Sequence, residues 1–237
     1  MHPIFTAMYE DVRTIAFDAD DTLWENETLF REAERQWAEV MKDYGSLEEL
    51  SAILYKREAE NMEDLGFGAK PYLISVLETS VALAGDKLTG PMVAKIIAAG
   101  RQIMRNPATP LPGVKEALQA IRDKKKYRMV MLTKGDLLDQ EHKIARSGLG
   151  CFFDRTVITS NKSKKEYLEL CQAEGIAPEN LLMVGNSFKS DIAPVLELGG
   201  WGAYVPFKVI WEHEKTEEYE HPRLLKLSAL GELLRWL

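Results

Sequence analysis

An apolar run that breaks off into carboxylates constrains this chain more than any other stretch. Val12, Ile15, Ala16 and Phe17 form a short, nearly continuous apolar segment, and Asp18, Asp20 and Asp21 follow at once. Runs of this kind, without polar alternation, suit a parallel sheet covered on both faces. Acids directly after such a strand lie at its carboxyl end, where open α/β sheets bind their ligands. Crowded carboxylates repel one another, and a divalent cation with hard oxygen ligands relieves that repulsion. A merely solvated acidic turn needs no buried strand in front of it, so the placement favours a functional site.

The next buried strand, Tyr127 to Thr133, comes more than a hundred residues later. A βαβ unit takes only about 30 residues. The crossover helix is opened by Leu111-Pro112-Gly113 and carries Val114, Leu118 and Ile121 on one face. Everything from about Trp24 to Pro110 is therefore an insertion, with Asn106-Pro107-Ala108-Thr109-Pro110 as its return linker. Its apolar periodicity predicts helices over 27–43, from Leu47 to about Leu65, from Tyr72 to Leu83 and from Val93 to Met104, punctuated by Gly66, Gly68, Gly85 and Gly90-Pro91. Four such helices make a small bundle, placed as a lid beside the acidic turn. Trp24, Glu25 and Asn26 are either substrate contacts or a hinge into that bundle.

Beyond Thr133 the alternation is regular. Helices are predicted from Leu137 to Ser147, Lys164 to Ala173 and Ile192 to Leu198, and strands over Thr156–Thr159, Leu181–Gly185 and Gly202–Pro206. Strands alternating with helices of this length call for a doubly wound parallel sheet, an α/β fold. The leucines from Leu224 to Leu234 predict a closing helix. The domain reading is a core of residues 1–23 and 108–237 around a helical insertion at 24–107.

Composition narrows the partners. The 237 residues are 46% hydrophobic and 28% charged, with a net charge of −7, an ordinary globular balance. A negative chain offers no uniform positive field to nucleic acid or anionic membrane, and Lys124-Lys125-Lys126 reads as a solvated helix end. The two cysteines, Cys151 and Cys171, form neither a disulfide framework nor a zinc spacing and read as reduced thiols of a cytoplasmic protein. The first eleven residues lack the apolar core of a secretory signal, and no run approaches the roughly 18 apolar residues of a membrane span. Nothing in the sequence specifies an oligomeric state.

The polar residues at the strand ends form a coherent set. The first strand ends in Asp18, Asp20 and Asp21, the second in Thr133, Lys134 and Gly135, and the Leu181 strand in Gly185-Asn186-Ser187, with Asp191 one helical turn on. Ser160-Asn161-Lys162 stands at a helix start, which favours an anion. In a parallel sheet these points share one edge. Carboxylates there suit a divalent cation; a hydroxyl, lysines and helix N-termini suit a phosphoryl group, the combination that phosphoryl transfer uses.

Asp18-Ala19-Asp20-Asp21-Thr22, Thr133, Lys162 and Gly185-Asn186-Ser187 with Asp191 resemble, in order, the four motifs of the haloacid dehalogenase superfamily. The insertion after the first motif resembles that superfamily's C1 helical cap, so the resemblance covers the whole chain. It is similar to the phosphatase-like branch near phosphoglycolate phosphatases and dehalogenases. Lys162 is chosen among three neighbouring lysines because Glu166 and Tyr167 follow it at the family's offsets, although the usual proline is absent.

The resemblance implies a Mg²⁺-dependent phosphomonoester hydrolase of a small phosphorylated metabolite. Asp18 is the implied nucleophile, forming an aspartyl-phosphate, and Asp20 the implied general acid and base. Asp18, the Asp20 carbonyl and Asp191 are the implied Mg²⁺ ligands. Thr133, with Lys134 beside it, is assigned to a phosphoryl oxygen, and Lys162 to charge neutralisation between nucleophile and phosphoryl group. Thr22 is read as holding the turn, and Asp21 as facing away from the metal. One position departs from the pattern: the family's usual aspartate after the glycine is Asn186 here, an uncharged carbonyl ligand or an outer-sphere one, which shifts the burden to Asp191. A β-phosphoglucomutase-like phosphomutase keeps the same motifs and is the alternative reading. Dehalogenases of the family lack the second acid, so Asp20 disfavours that branch, and a non-catalytic binding protein would need neither Asp18 nor Asp20.

Overall fold

The computed structural model describes residues 11–237; the reading that no secretory signal opens the chain falls, but for Asp11, on residues outside that range. Among the described residues six strands form one parallel sheet, β1 (Thr14–Phe17), β2 (Arg128–Lys134), β3 (Arg155–Thr159), β4 (Leu181–Gly185), β5 (Trp201–Tyr204) and β6 (Leu224–Lys226), ordered β3-β2-β1-β4-β5-β6. Every residue of β1 is buried, because its alternating side chains serve two cores. Ile15 and Phe17 pack with Met129, Met131, Leu182 and Val184 on one face, and Ala16 packs with Val130, Leu132, Leu181 and Met183 on the other.

The described residues fall into two compact units. The sheet unit comprises the chain up to Glu25, Ala108–Lys134 and Ile144–Leu237. Its helices are α5 (Val114–Asp123), the second part of α6 (Leu137–Ser147), α7 (Lys164–Glu174) and the short α8 (Ala193–Glu197). Val114, Ala117, Leu118 and Ile121 form the buried stripe of α5.

The helical unit takes Asn26–Pro107 together with Gly135–Lys143, the latter lying beyond the 24–107 limits read from the sequence. Its helices are α1 (Glu27–Val40), α2 (Leu47–Leu65), α3 (Ala69–Ala84) and α4 (Gly90–Met104), together with the first part of α6. Ser46 and Glu49 form a capping box at the start of α2, and Thr89 caps α4 with Pro91 in its first turn. Trp37, Met41, Leu50, Leu54, Ile96 and Ile103 lie in the core of this unit. The Trp37 indole N–H, buried with them, donates to Ser80 Oγ at 2.8 Å.

The closing helix expected over Leu224–Leu234 is not formed. Leu225 and Leu227 are buried while Lys226 between them is exposed, a period-two pattern that adds β6 to the edge of β5 through the Leu227 N–H to Tyr204 O bond of 2.8 Å. A 3₁₀ helix, Leu230–Arg235, follows and buries Leu230 and Leu233. Two short periods in succession imitate one long helical period in the sequence. The segment expected as a helix from Ile192 opens earlier, as a π-turn over Phe188–Ile192 that runs into α8.

Candidate active site

The strand order reverses at β1, whose neighbours are β2 and β4. The carboxyl edge at such a switch point is where this architecture leaves a crevice. Asp18 follows β1 there, its N–H bonded to Val184 O at 2.9 Å. The chain then turns back tightly: Leu23 N–H donates to Ala19 O at 2.8 Å, and Asp21 N–H to Trp24 O at 2.7 Å. Asp21 takes the left-handed conformation, φ 63°, which aspartate tolerates better than most side chains. Thr22, as expected, holds the turn. Its hydroxyl donates to Asp18 Oδ2 at 2.8 Å and accepts the Asn186 N–H at 3.0 Å, tying the ends of β1 and β4 together.

Trp24 is fully buried in the core beneath the sheet edge, and its indole N–H donates to Asp20 Oδ1 at 2.7 Å. Of the two roles considered for Trp24, substrate contact and hinge, burial removes the first. It is the support that orients Asp20. Asn26 belongs to the helical unit, where its Oδ1 accepts from the buried Lys143 at 3.3 Å.

Lys162 reaches the same edge from the loop after β3. Ser163 caps α7 in a capping box with Glu166, which fixes the loop from which the lysine projects. Its ammonium is buried and donates both to Asp18 and, at 2.8 Å, to Asp191 Oδ1. Burial works against a charged lysine, but Asp18 and then Asp191 outweigh it and hold Lys162 protonated well above its ordinary range. Asp191 carries the opposite strain. It is 1% exposed, and burial, with Asp18 nearby, raises it to about 7 against the pull of Lys162. Two buried carboxylates sharing one ammonium leave surplus negative charge, and that is an invitation to a further cation.

Asp191 lies within the π-turn, a feature frequent at functional sites. Its Oδ2 accepts the Ser187 N–H at 3.0 Å, and the buried Tyr167 hydroxyl donates to Ser190 O at 3.0 Å. Gly185 is required beneath it: a Cβ there would stand 2.6 Å from Asp191 Cβ and closer still to its carboxylate.

Asn186 completes the acidic edge without a charge. With its amide nitrogen turned inward it donates to Asp20 O, Thr22 Oγ1 and Asp18 Oδ2, each at 3.1 Å. With the oxygen inward, its Oδ1 faces the Asp20 carbonyl and the Asp18 carboxylate at that same spacing, and only the Thr22 hydroxyl has a proton to offer it. An octahedron with metal–oxygen distances of about 2.1 Å has ligand–ligand edges of about 3 Å, so the spacing of the Asn186 oxygen to the Asp20 carbonyl and the Asp18 carboxylate is that of neighbouring Mg²⁺ ligands. Among the described residues no three His, Cys, Asp or Glu side chains gather as a metal cluster; the groups at this edge that could hold a cation are the Asp18 and Asp191 carboxylates, the Asn186 amide oxygen and the Asp20 carbonyl.

Thr133, at the end of β2, is 1% exposed, and its hydroxyl has no hydrogen-bond partner. A buried unpaired hydroxyl costs free energy unless a ligand takes it up. Lys134, the next residue, is engaged within the protein: its ammonium pairs with Glu214 Oε1 at 2.5 Å and donates to Ser190 Oγ at 3.3 Å. The strand-end residues thus divide. Asp18, Lys162, Asp191 and Asn186 form one constellation with Thr22 and the Asp20 carbonyl, while Lys134 joins a second, with Glu214, beside it.

Residues 12–199 match the haloacid dehalogenase-like hydrolase family. The chain belongs to this family. It is 32% identical to a haloacid dehalogenase-like family hydrolase from Xanthomonas campestris, whose crystal structure superposes with a TM-score of 0.83 over 95% of this chain and 90% of that one. A predicted phosphoglycolate phosphatase from Haemophilus somnus shares the fold at 17% identity, with a TM-score of 0.60 over 95% of this chain and 97% of its own. The glyceraldehyde 3-phosphate phosphatase of Methanopyrus kandleri is 26% identical over 187 residues, 76% of this chain and 78% of that protein.

As a haloacid dehalogenase-like hydrolase the chain is an enzyme, and among its described residues no helix is long and apolar enough to cross a membrane. Two supports of this edge escaped the sequence reading. Trp24 was visible as a residue but not as a partner of Asp20, because the i, i+4 contact forms in a turn rather than on a helix. Glu214 lies in a charged stretch, Glu212 to Lys215, with no periodicity to mark it.

Proposed function

We propose that this hydrolase is a cytoplasmic, Mg²⁺-dependent phosphomonoesterase that acts on a small phosphorylated metabolite through an aspartyl-phosphate. The observation that carries the reading is Lys162, whose single ammonium bridges the buried carboxylates of Asp18 and Asp191 at the switch point of the sheet. The unpaired Thr133 hydroxyl at the same edge supports it, as do relatives named for phosphatase activity.

In this mechanism the Asp18 carboxylate attacks phosphorus and the bond to the leaving oxygen breaks. Asp20, oriented by the Trp24 indole, delivers its proton to that oxygen. A water molecule then attacks the phosphorus of the aspartyl-phosphate, Asp20 takes the proton of the water, and phosphate leaves Asp18 regenerated. Thr133 donates to a phosphoryl oxygen throughout. Lys162 stabilises the charge between nucleophile and phosphoryl group and holds Asp191 in place. Asp18, Asp191, Asn186 Oδ1 and the Asp20 carbonyl would hold Mg²⁺, which supplies charge neutralisation on the phosphoryl oxygens when bound.

The test is a panel of metabolite phosphates with Mg²⁺, read by phosphate release and including glyceraldehyde 3-phosphate and phosphoglycolate. Release from one or a few esters supports the reading. Phosphoryl transfer between sugar positions without release points to the mutase, and chelator-resistant halide release to a dehalogenase.

A further inference from the structure

Glu214 comes from the loop after β5, on a short 3₁₀ helix, Glu212–Glu214, yet its carboxylate is built into the edge just described. It accepts from the Lys134 ammonium at 2.5 Å, from the Ser187 hydroxyl, and from the Ser190 hydroxyl at 2.6 and 2.8 Å. The loop is tied down a second time by Lys189, which donates to His213 O at 2.8 Å. Surface carboxylates do not collect three donors in this way; the side chain is only 13% exposed.

Its partners are the residues that flank the proposed cation ligands. Ser187 directly follows Asn186, and its N–H donates to Asp191 Oδ2 at 3.0 Å. With its proton given to Glu214, the Ser187 hydroxyl accepts the Ser190 N–H at 3.0 Å and so caps the π-turn that carries Asp191. Lys134 sits beside the same turn, on Ser190. A positive charge there, uncompensated, repels a divalent cation. The edge also lacks an acid at Asn186, so two carboxylates against the Lys162 ammonium leave a surplus of only one negative charge, which an uncompensated Lys134 would offset.

We infer that Glu214 is a positioning residue of this site: it cancels the charge of Lys134 and fixes Ser187, so that Asp18 and Asp191 can hold a divalent cation. Lys134 is then the counter-ion of Glu214 rather than a ligand of the substrate. The inference rests on the Mg²⁺ dependence in the proposed function but is read without substrate.

The experiment is calorimetric titration of the full chain with Mg²⁺ alone, for the wild type, Glu214→Gln, Lys134→Met and the double variant. Glu214→Gln weakens Mg²⁺ binding by about tenfold or more, the usual scale for residues that support metal ligands. Lys134→Met binds Mg²⁺ at least as tightly as the wild type. The double variant recovers most of the loss, because it removes the surplus positive charge together with its partner. Unchanged affinity in Glu214→Gln overturns the inference, as does a double variant no better than that single one. Should Glu214→Gln fail to fold, Lys134→Met still decides, since weaker binding in it contradicts charge cancellation. A wild-type protein that binds Mg²⁺ but hydrolyses no ester counts against the proposed function and leaves Glu214 in its role.

Discussion

The Lys162 ammonium donates to Asp191 Oδ1 at 2.8 Å while it also pairs with Asp18. One cation from the loop after β3 thereby joins the carboxylates that follow β1 and β4, and both acids are almost wholly removed from solvent.

Lys162→Met therefore leaves two buried carboxylates facing each other. Removing one partner of a buried ion pair typically costs about 3–5 kcal/mol, and that loss is expected in urea denaturation, together with loss of turnover. Mg²⁺ should restore part of the stability of the variant, since a cation that binds only the folded state stabilises it by mass action. Denaturation curves equal to those of the wild type would place the stabilising charge elsewhere.

Gly185→Ala drives a methyl group into the Asp191 side chain, which cannot move aside because Lys162 and the Ser187 N–H hold it. Turnover and Mg²⁺ affinity are expected to fall together. A variant that keeps both would show that Asp191 need not occupy its present position.

Thr133→Val removes a hydroxyl that has no partner in the protein, so the melting temperature is expected to hold or rise slightly. A hydrogen bond to a charged group is worth roughly 1.5–3 kcal/mol, so kcat/KM for an aryl phosphate should drop by about one to two orders of magnitude. Loss of stability with unchanged kinetics would make Thr133 a structural residue.

Glu214 sets a pH dependence on the acid side. Burial alone would raise its pKa, but Lys134, Ser187 and Ser190 outweigh it and lower it from 4.5 to about 2. A lowered folded-state pKa means that the unfolded chain takes up the proton first as pH falls. The contribution is complete above about pH 4.5 and drains away toward pH 2. It amounts to roughly 3 kcal/mol. The stability gap between wild type and Glu214→Gln should be constant from pH 8 to 5 and narrow below; a gap independent of pH would contradict the pairing.

How much of this was legible beforehand can be read from particular residues. The run from Val12 into Asp18 announced a buried parallel strand with ligands at its end, because strands covered on both faces lose polar alternation. The same regularity located β2, β3, β4 and α6 to within a residue or so. The leucines from Leu224 to Leu234 misled, since β6 and a 3₁₀ turn in succession produce spacings that a helix also produces. In the site, the motif residues were visible as types at strand ends. Their supports were not: the Trp24 indole on Asp20 and the Glu214 carboxylate on Lys134 depend on how distant or turning backbone segments meet, which no periodicity encodes. Lys134 shows the consequence most plainly. It stood beside Thr133 as a cation for phosphate, and the fold had matched it with an acid eighty residues later.

The central claim is that Asp18 is the nucleophile of a Mg²⁺-dependent phosphatase, and the most direct measurement is turnover of a generic aryl phosphate by Asp18→Asn in saturating Mg²⁺. The amide keeps the shape of the side chain but cannot attack phosphorus, so turnover should fall by at least about three orders of magnitude in a variant that remains folded. Turnover at the wild-type rate would contradict the account.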